Sequence, residues 1–287
     1  MLVLAGHGLS EKGATRELEE ELEKADVIYL ETYTMPSSSW IAAALERYGG
    51  KVVRATRSML EEGSWRIVEE AKSRRVVVLT VGDPLMATAH QALLAEAAEK
   101  EVEFAYIPGV SGVCATKVFS GLQYYRFGRT ATVPGPWKGF RPYSIVGYIY
   151  GDLCVDLHTL LLMDISEEGE QLSPATAAQI VLEAETVMER ELGYEGSLMQ
   201  LPAVVVERAG TLGARIRVYD NLYSLALAEE PFSEPSSVVV PAPLNKVEAW
   251  ILGALARVKL GGSWTSRIKS REDYCSLYHK IMNWLSS

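Results

Sequence analysis

Thr80-Val81-Gly82-Asp83-Pro84-Leu85-Met86-Ala87-Thr88-Ala89-His90 decides how the chain is read. Upstream, Val76-Val77-Val78-Leu79 is a run of branched apolar residues that reads as a buried strand. Downstream, the alanine-rich segment Ala89 to Lys100 reads as a helix. The residues between them must turn the chain sharply. Gly82 admits backbone angles closed to other residues and lets a second molecule approach the main chain. Pro84 fixes its own φ and biases Asp83 towards an extended conformation. A carboxylate is thereby set at the carboxyl end of a strand, where open α/β sheets have their ligand crevice. Taken alone, Gly-Asp-Pro reads more simply as a strand-to-helix turn with Asp83 as cap. Its neighbours along the chain change that balance.

Working outward, Leu2 to Ala5 is a wholly apolar first strand, followed by Gly6-His7-Gly8-Leu9-Ser10. Thr15 to Ala25 has helical spacing, with Leu18 and Leu22 on one stripe and glutamates outside. Val27 to Glu31 is a second strand, Trp40 to Tyr48 a short helix ended by Gly49-Gly50, and Val52-Val53 a third strand. Trp65 to Lys72 is a helix, and Glu103 to Ile107 a fifth strand running into Pro108-Gly109-Val110-Ser111-Gly112. Such alternation implies a mainly parallel sheet covered on both faces. Its three glycine-bearing turns then open at one sheet edge, the default place for a ligand.

The first turn can be tested against the dinucleotide fingerprint, G-x-G-x-x-G with an acidic residue about 20 positions on. Gly6 and Gly8 fit, and Glu31 ends the second strand, but Glu11 stands where the third glycine belongs. A glutamate there repels phosphate, so a nicotinamide oxidoreductase ranks last among the enzymes considered.

Composition sets outer bounds. The 287 residues suit two domains or one large one, and 48% hydrophobic with 23% charged residues is the balance of a globular protein. A net charge of −9 argues against direct nucleic-acid binding, which wants a basic face. Cys114, Cys154 and Cys275 are odd in number, far apart and without metal-ligand spacing, so reduced cysteines in a cytosol and no metal are expected. The start lacks the basic region of a signal peptide, and no run approaches about 18 apolar residues, so a cytoplasmic protein without a membrane segment is expected.

Together these segments resemble the tetrapyrrole-methylase-like, class III S-adenosylmethionine methyltransferases. The family-level signals are the amino-terminal glycine turn, Gly82-Asp83-Pro84 and Pro108-Gly109-Val110-Ser111. More specific stretches resemble the diphthine synthase branch: Glu31-Thr32-Tyr33-Thr34, the Met86-Ala87-Thr88-Ala89-His90 continuation, and Gly121-Leu122-Gln123-Tyr124-Tyr125-Arg126-Phe127-Gly128. Further on come His158-Thr159-Leu160-Leu161-Leu162-Met163-Asp164-Ile165, Glu207-Arg208-Ala209-Gly210 and Val247-Glu248-Ala249. The resemblance covers nearly all of residues 2 to about 250.

It implies an α/β protein of two domains, with a mainly parallel sheet in the amino-terminal one and a mixed sheet in the other. It implies a homodimer, S-adenosyl-L-methionine folded into the cleft between domains, and a protein substrate. That substrate is the 3-amino-3-carboxypropyl histidine of translation elongation factor 2, trimethylated on its amine to diphthine in diphthamide biosynthesis. Carried over by position, the implied cofactor contacts are Leu9, Asp83, Met86, Ser111, Gly112, Met163, Ala209 and Ser236. Apolar residues suit adenine and a thioether, and Asp83 can accept from ribose hydroxyls or the cofactor's amino group. The chain departs from the pattern at His7, where an apolar residue is common, in the altered acidic stretch Ser10-Glu11-Lys12-Gly13, and at Ser236, which replaces a bulkier residue.

In the second half, Thr130 to Val133 is expected to close the first domain, with Pro134 to Gly139 as linker. Tyr143 to Asp152 reads as helix, His158 to Ile165 as strand, and Ser173-Pro174 opens a helix to about Glu191. Strands follow at Ala203 to Glu207, Arg215 to Val218 and Val238 to Val240, then a helix over Leu244 to Val258. The domains are thus read as 1–134, 135–260 and a tail extension, 261–287, whose aromatics are expected to pack on the body or on a dimer partner.

Methyl transfer to an amine needs a neutral lone pair, in-line geometry and exclusion of water. The amine can lose its proton to solvent first, so no catalytic base is named. Asp164 is a candidate for orienting the amine. His90 and His158 read as structural. Arg126, Arg129, Lys138 and Arg141 read either as a basic docking rim or as solvated surface charge. Two rivals stand beside this reading: a precorrin-type tetrapyrrole C-methyltransferase, and a non-catalytic S-adenosylmethionine-binding regulatory dimer.

Overall fold

The computed structural model describes residues 1–10, 12–34 and 39–287. The reading of Glu11 as a phosphate-repelling residue lies outside them. The chain divides into two compact units, Met1–Ala115 with Glu167–Gly169, and Thr116–Ser166 with Glu170–Ser287.

The first unit runs β1 (Leu2–Gly6), α1 (Arg16–Lys24), β2 (Val27–Glu31), α2 (Ser39–Tyr48), β3 (Val52–Ala55), α3 (Arg57–Leu60), α4 (Ser64–Ala71), β4 (Val76–Thr80), α5 (Gln91–Glu99) and β5 (Phe104–Ile107). Then α6 (Gly112–Phe119) carries the chain into the second unit. The sheet order is β3-β2-β4-β1-β5, every pair parallel. Apolar runs suit such strands because both faces are covered. Val3, Ala5, Val77 and Leu79 pack with Leu18, Leu22 and Ile107, while Leu2, Leu4, Val76 and Val78 pack with Leu60, Ile67, Val68 and Leu93. Thr15 caps α1, its side chain accepting from Leu18 N–H, so the first glycine turn ends at a fixed helix start.

The second unit runs β6 (Phe127–Val133), α7 (Tyr143–Cys154), β7 (His158–Met163), α8 (Pro174–Leu192), β8 (Ala203–Glu207), β9 (Arg215–Tyr219), α9 (Leu222–Ala226), β10 (Ser236–Val240), α10 (Lys246–Ala256) and α11 (Arg271–Ser286). Its sheet order is β6-β7-β10-β8-β9, with β6 and β7 parallel and the other pairs antiparallel. This is the mixed sheet expected. Ser173 and Pro174 open α8 as read, the serine side chain accepting from Thr176 N–H.

Two expectations are corrected, on the partner of Thr130 to Val133 and on the cysteines. Thr130 to Val133 does not close the first sheet: Thr130 to Val133 pair with Leu160 to Met163, so β6 is the edge of the second sheet. The strand's own sequence carries no mark of its partner. The tail packs on the body, one of the two places expected for it. Tyr274, Leu277 and Ile281 of α11 are buried in the second unit's core beside Ile145, Ile149 and Val181. The cysteines are not all reduced: Cys154 and Cys275 form a disulfide, and Cys114 is the free one. Glycines explain that closeness. A Cβ on Gly147 would stand 3.0 Å from Ile281, and one on Gly151 2.9 Å from Tyr278, so at these two positions α7 has room for α11 because it lacks side chains. The two cysteine Cα atoms come within 4.8 Å, a distance that permits a bridge.

Candidate functional site

In the first unit the parallel register brings Gly6 level with Thr80, and Ala5 level with Ile107. The three glycine turns therefore leave the sheet together. The first two are joined by backbone. Gly8 N–H donates to Gly82 C=O at 3.1 Å, and Gly82 N–H to Gly8 C=O at 2.9 Å. Gly82 holds φ at +69°, open at low cost only to glycine. At Gly109 a Cβ would lie 1.9 Å from Gly82 O, and at Gly6 2.3 Å from the same atom. The crossing is thus built for glycine.

Asp83 braces it. Its Oδ1 accepts from Leu85 N–H at 2.9 Å. Its Oδ2 accepts from Tyr106 O–H at 2.5 Å and from Gly109 N–H at 3.2 Å. A carboxylate has about four lone-pair sites, so these three bonds leave room for one ligand donor. Burial, then the bond to Asp83 and its charge, push the Tyr106 phenol up to about 12, so it stays a donor at neutral pH. Past the crossing the wall opens. A Cβ on Gly82 would meet nothing nearer than 3.7 Å, one neighbour being a Leu9 methyl, and one on Gly112 only that methyl at 3.8 Å. Ser111 is buried and accepts from Val113 N–H at the start of α6. Met86 is 42% exposed and Ala87 has φ +58°. Leu9, Asp83, Ser111 and Gly112 thus gather where the three turns meet. His90 is buried, its Nε2 3.2 Å from Tyr33 O–H, and burial lowers its pKa, which keeps it neutral.

In the second unit Met163 ends β7, buried, and Asp164 follows. Asp164 Oδ2 accepts from Gly135 N–H at 3.0 Å and from the Trp137 indole N–H at 2.9 Å. Ser236 begins β10 buried, its backbone N–H donating to Gln171 Oε1 at 2.8 Å. Ala209 sits buried between Arg208, at φ +49°, and Gly210, at φ +79°. Glu207 is wholly buried and held by Arg217 at 2.9 Å and 3.2 Å.

Arg126 is not a docking residue. Its guanidinium pairs with Glu248 and also donates to the carbonyls of Asp156 at 3.0 Å and Pro243 at 3.2 Å. Glu248 accepts as well from Gln123 N–H, Asn245 N–H and His158 Nε2. Ala242 N–H donates to His158 Nδ1 at 3.0 Å, which fixes the neutral tautomer with its proton on Nε2. Burial holds the His158 pKa down. For Glu248 burial works upward, but the bonds from His158, Gln123 and Asn245 prevail and hold it at about 2. The Gln-Tyr-Tyr-Arg, His-Thr and Val-Glu-Ala stretches thus converge on one fastening. Arg129 lies over the Tyr148 ring at 4.2 Å. Among the described residues, Lys138 and Arg141 have no ion-pair partner.

Sequence reasoning missed Tyr106, Trp137 and Gln171, which hold Asp83, Asp164 and Ser236. Tyr106 carries no signal beyond a strand aromatic, and Gln171 none beyond a polar loop residue.

This parallel sheet with its three glycine turns, followed by a mixed sheet, is the fold of the methylases that the chain matches. The Tetrapyrrole (Corrin/Porphyrin) Methylases match over residues 1–225, and the chain belongs to that family, within its diphthine synthase branch; it is a methyltransferase. It is 43% identical to the diphthine synthase of Aeropyrum pernix over 255 residues, 88% of this chain and 86% of that one. The crystal structure of a conserved hypothetical protein of Aeropyrum pernix superposes with TM-score 0.87 at 40% identity, covering 100% of this chain and 96% of that one. A crystal structure of diphthine synthase gives TM-score 0.77 at 33% identity over 90% of this chain and 96% of the other. No helix among the described residues is long and apolar enough to cross a membrane.

Proposed function

We propose that this methyltransferase is a diphthine synthase that uses S-adenosyl-L-methionine to methylate the amine of the 3-amino-3-carboxypropyl histidine in translation elongation factor 2. The product is the trimethylated diphthine of diphthamide biosynthesis. The observation that carries the reading is the 43% identity to a diphthine synthase over 88% of the chain. The same reading has it act in the cytoplasm as a homodimer, touching neither membrane nor nucleic acid directly.

The residues of the first unit fit the cofactor. The turns at Gly82 and Gly112 leave room for a methyl beside Leu9, an apolar neighbour suited to adenine or a thioether, and Asp83 keeps one acceptor site for a hydroxyl or amine. Leu9, Asp83, Met86, Ser111 and Gly112 are proposed as its contacts there, and Met163, Ala209 and Ser236 are proposed as contacts on the family resemblance. When bound, S-adenosylmethionine supplies an electrophilic methyl group on a positively charged sulfur. The protein's part is positional: apolar side chains keep water from the sulfur, and fixed acceptors orient the amine so that its lone pair faces the methyl carbon. Asp164, held in place by Gly135 and Trp137, suits that orienting role. No side chain need act as strong base, because the amine deprotonates to solvent before each attack.

The test is intact mass. Elongation factor 2 carrying the aminocarboxypropyl histidine, incubated with this protein and S-adenosylmethionine, should gain methyl groups stepwise, all on that histidine. No gain with cofactor binding confirmed would remove the proposal and return the tetrapyrrole and regulatory readings.

A further inference from the structure

A groove of about 530 Å³ lies within the second unit, lined among others by Lys138, Phe140, Arg141, Tyr143, Asp164 and Leu285. That volume is in the range of small-molecule sites, roughly 300–1,000 Å³. Its chemistry is unusual for a surface groove. One wall carries a fixed carboxylate: Asp164 Oδ2 is held by Gly135 N–H and the Trp137 indole, and among the described residues nothing donates to Oδ1. The rim carries two cations, Lys138 and Arg141, neither paired with an acid among the described residues. Between them lie apolar surfaces, with Phe140 65% exposed. A positioned anion, unpaired cations and an apolar wall match a ligand that carries a carboxylate, an ammonium and a methylene stem.

We propose that this groove recognises an α-aminocarboxylate head group, the ammonium placed by Asp164 and the carboxylate met by Lys138 and Arg141. The proposal rests on the function proposed above and deepens it, because two molecules in that reaction carry the same head. One is the 3-amino-3-carboxypropyl side chain of the modified histidine, and the other is the methionine end of S-adenosylmethionine. A bidentate guanidinium and a charged ammonium hold a carboxylate better than neutral donors do. Asp164 balances the positive charge of the amine before methylation and of the quaternary product after it. The exposed aromatic ring of Phe140 offers a further contact to a quaternary ammonium, which keeps its charge but has no N–H to donate. The groove also gives the carboxy-terminal helix a role. Leu285 forms part of its wall, and α11 is anchored to α7 by the Cys154–Cys275 bridge.

The test compares ligands with and without the head group on the full-length protein. For the cofactor, S-adenosylhomocysteine is titrated against 5′-methylthioadenosine, which lacks the aminocarboxypropyl end. For the protein, elongation factor 2 bearing the aminocarboxypropyl histidine is titrated against the unmodified factor. The variants are Lys138→Gln/Arg141→Gln and Asp164→Asn. Both rim cations are exposed, so the double variant should melt as the parent does. Losing a charged hydrogen bond to the head should weaken one head-bearing ligand about tenfold or more, leaving its headless counterpart unchanged. A loss confined to the modified factor assigns the groove to the protein substrate; one confined to S-adenosylhomocysteine assigns it to the cofactor. If both pairs keep the parent's preference for the head within about twofold, the groove is not a recognition site. Failure of the proposed function reads differently: the unsubstituted protein would leave the mass of the modified factor unchanged.

Discussion

In the first unit, Gly6, Gly82 and Gly109 meet through main-chain atoms, with the Asp83 side chain tying the turns together. In the second unit, the segments around residues 123, 158, 242 and 248 meet through side chains, and the knot is the buried Glu248 and His158 with the half-buried Arg126. The first arrangement leaves surface open, since a glycine wall presents backbone and space. The second closes it, since every polar atom of Glu248 is spent on the protein. Chemistry that must admit a ligand is built from absent side chains, and fastening is built from paired charges. The specific stretches that separate this branch from other methylases therefore include parts that hold the fold together.

The most forceful way to break this comparison is Glu248→Ala. It leaves Arg126 and His158 without the carboxylate between them, and breaking a buried pair costs about 3–5 kcal/mol. Denaturant unfolding should show a loss of that size. A loss below 1 kcal/mol would make the cluster incidental. Its pH dependence has a fixed sign. Glu248 titrates at about 2 in the fold, below its ordinary 4.5, so its contribution is complete above about pH 4.5 and fades as pH falls towards 2. The stability gap between the parent protein and Glu248→Gln should shrink over that window. A gap that stays constant would sink the assignment.

Next in size is the disulfide. It closes a loop of 121 residues, and removing a bridge typically costs about 2–5 kcal/mol. Cys275→Ser, or reductant on the parent protein, should lower the melting temperature and speed amide exchange in α7 and α11. Exchange in β1 and β4 under native conditions should stay as it was. Equal acceleration in both sheets would show that the bridge is not confined in effect to the second unit's core.

The two regions also differ in how far they can be read without coordinates. The strands around Gly82-Asp83-Pro84 announce themselves as apolar runs, and a glycine before an aspartate and a proline has few conformations. Local chemistry settles such a turn. Arg126 and Glu248 stand 122 residues apart, and a surface arginine looks the same in sequence as a buried one. Cys154 and Cys275 misled for the same reason: their pairing follows from Gly147 and Gly151 on a helix face, visible only once α11 is laid against α7. The partner of β6 is likewise a tertiary fact. The implied contacts at Asp83 and Ser111 were readable as turn residues, whereas Tyr106, which shares Asp83 with the turn, was not.

A smaller effect sharpens the first half of the comparison. Gly109→Ala puts a methyl 1.9 Å from Gly82 O, so the turns must shift. Overpacking of this kind costs about 1–3 kcal/mol. Binding of S-adenosylhomocysteine should fall sharply. Gly112→Ala meets only a Leu9 methyl at 3.8 Å and sits at a helix start, so it should fold as the parent does. If the two variants were equally stable, the backbone crossing would not be the constraint the distances describe.

The finest test is Tyr106→Phe. It removes one hydroxyl and leaves Asp83 with its two backbone donors, Leu85 N–H and Gly109 N–H. The tyrosine is 43% exposed, so water can take its place, and the loss should be about 1 kcal/mol by urea unfolding. The crossing itself should persist, because Gly8 and Gly82 bond to each other through backbone and Gly109 N–H keeps its bond to Asp83. Asp83→Asn goes further: an amide nitrogen cannot accept, so the bond from Leu85 or those from Gly109 and Tyr106 must be given up. A Tyr106→Phe variant as damaged as Asp83→Asn would mean that the phenol, rather than the main chain, sets the position of the turn. A variant with parental stability and parental cofactor affinity would leave Asp83 braced by backbone alone, making the first unit a purer case of main-chain construction than its hydrogen bonds suggest.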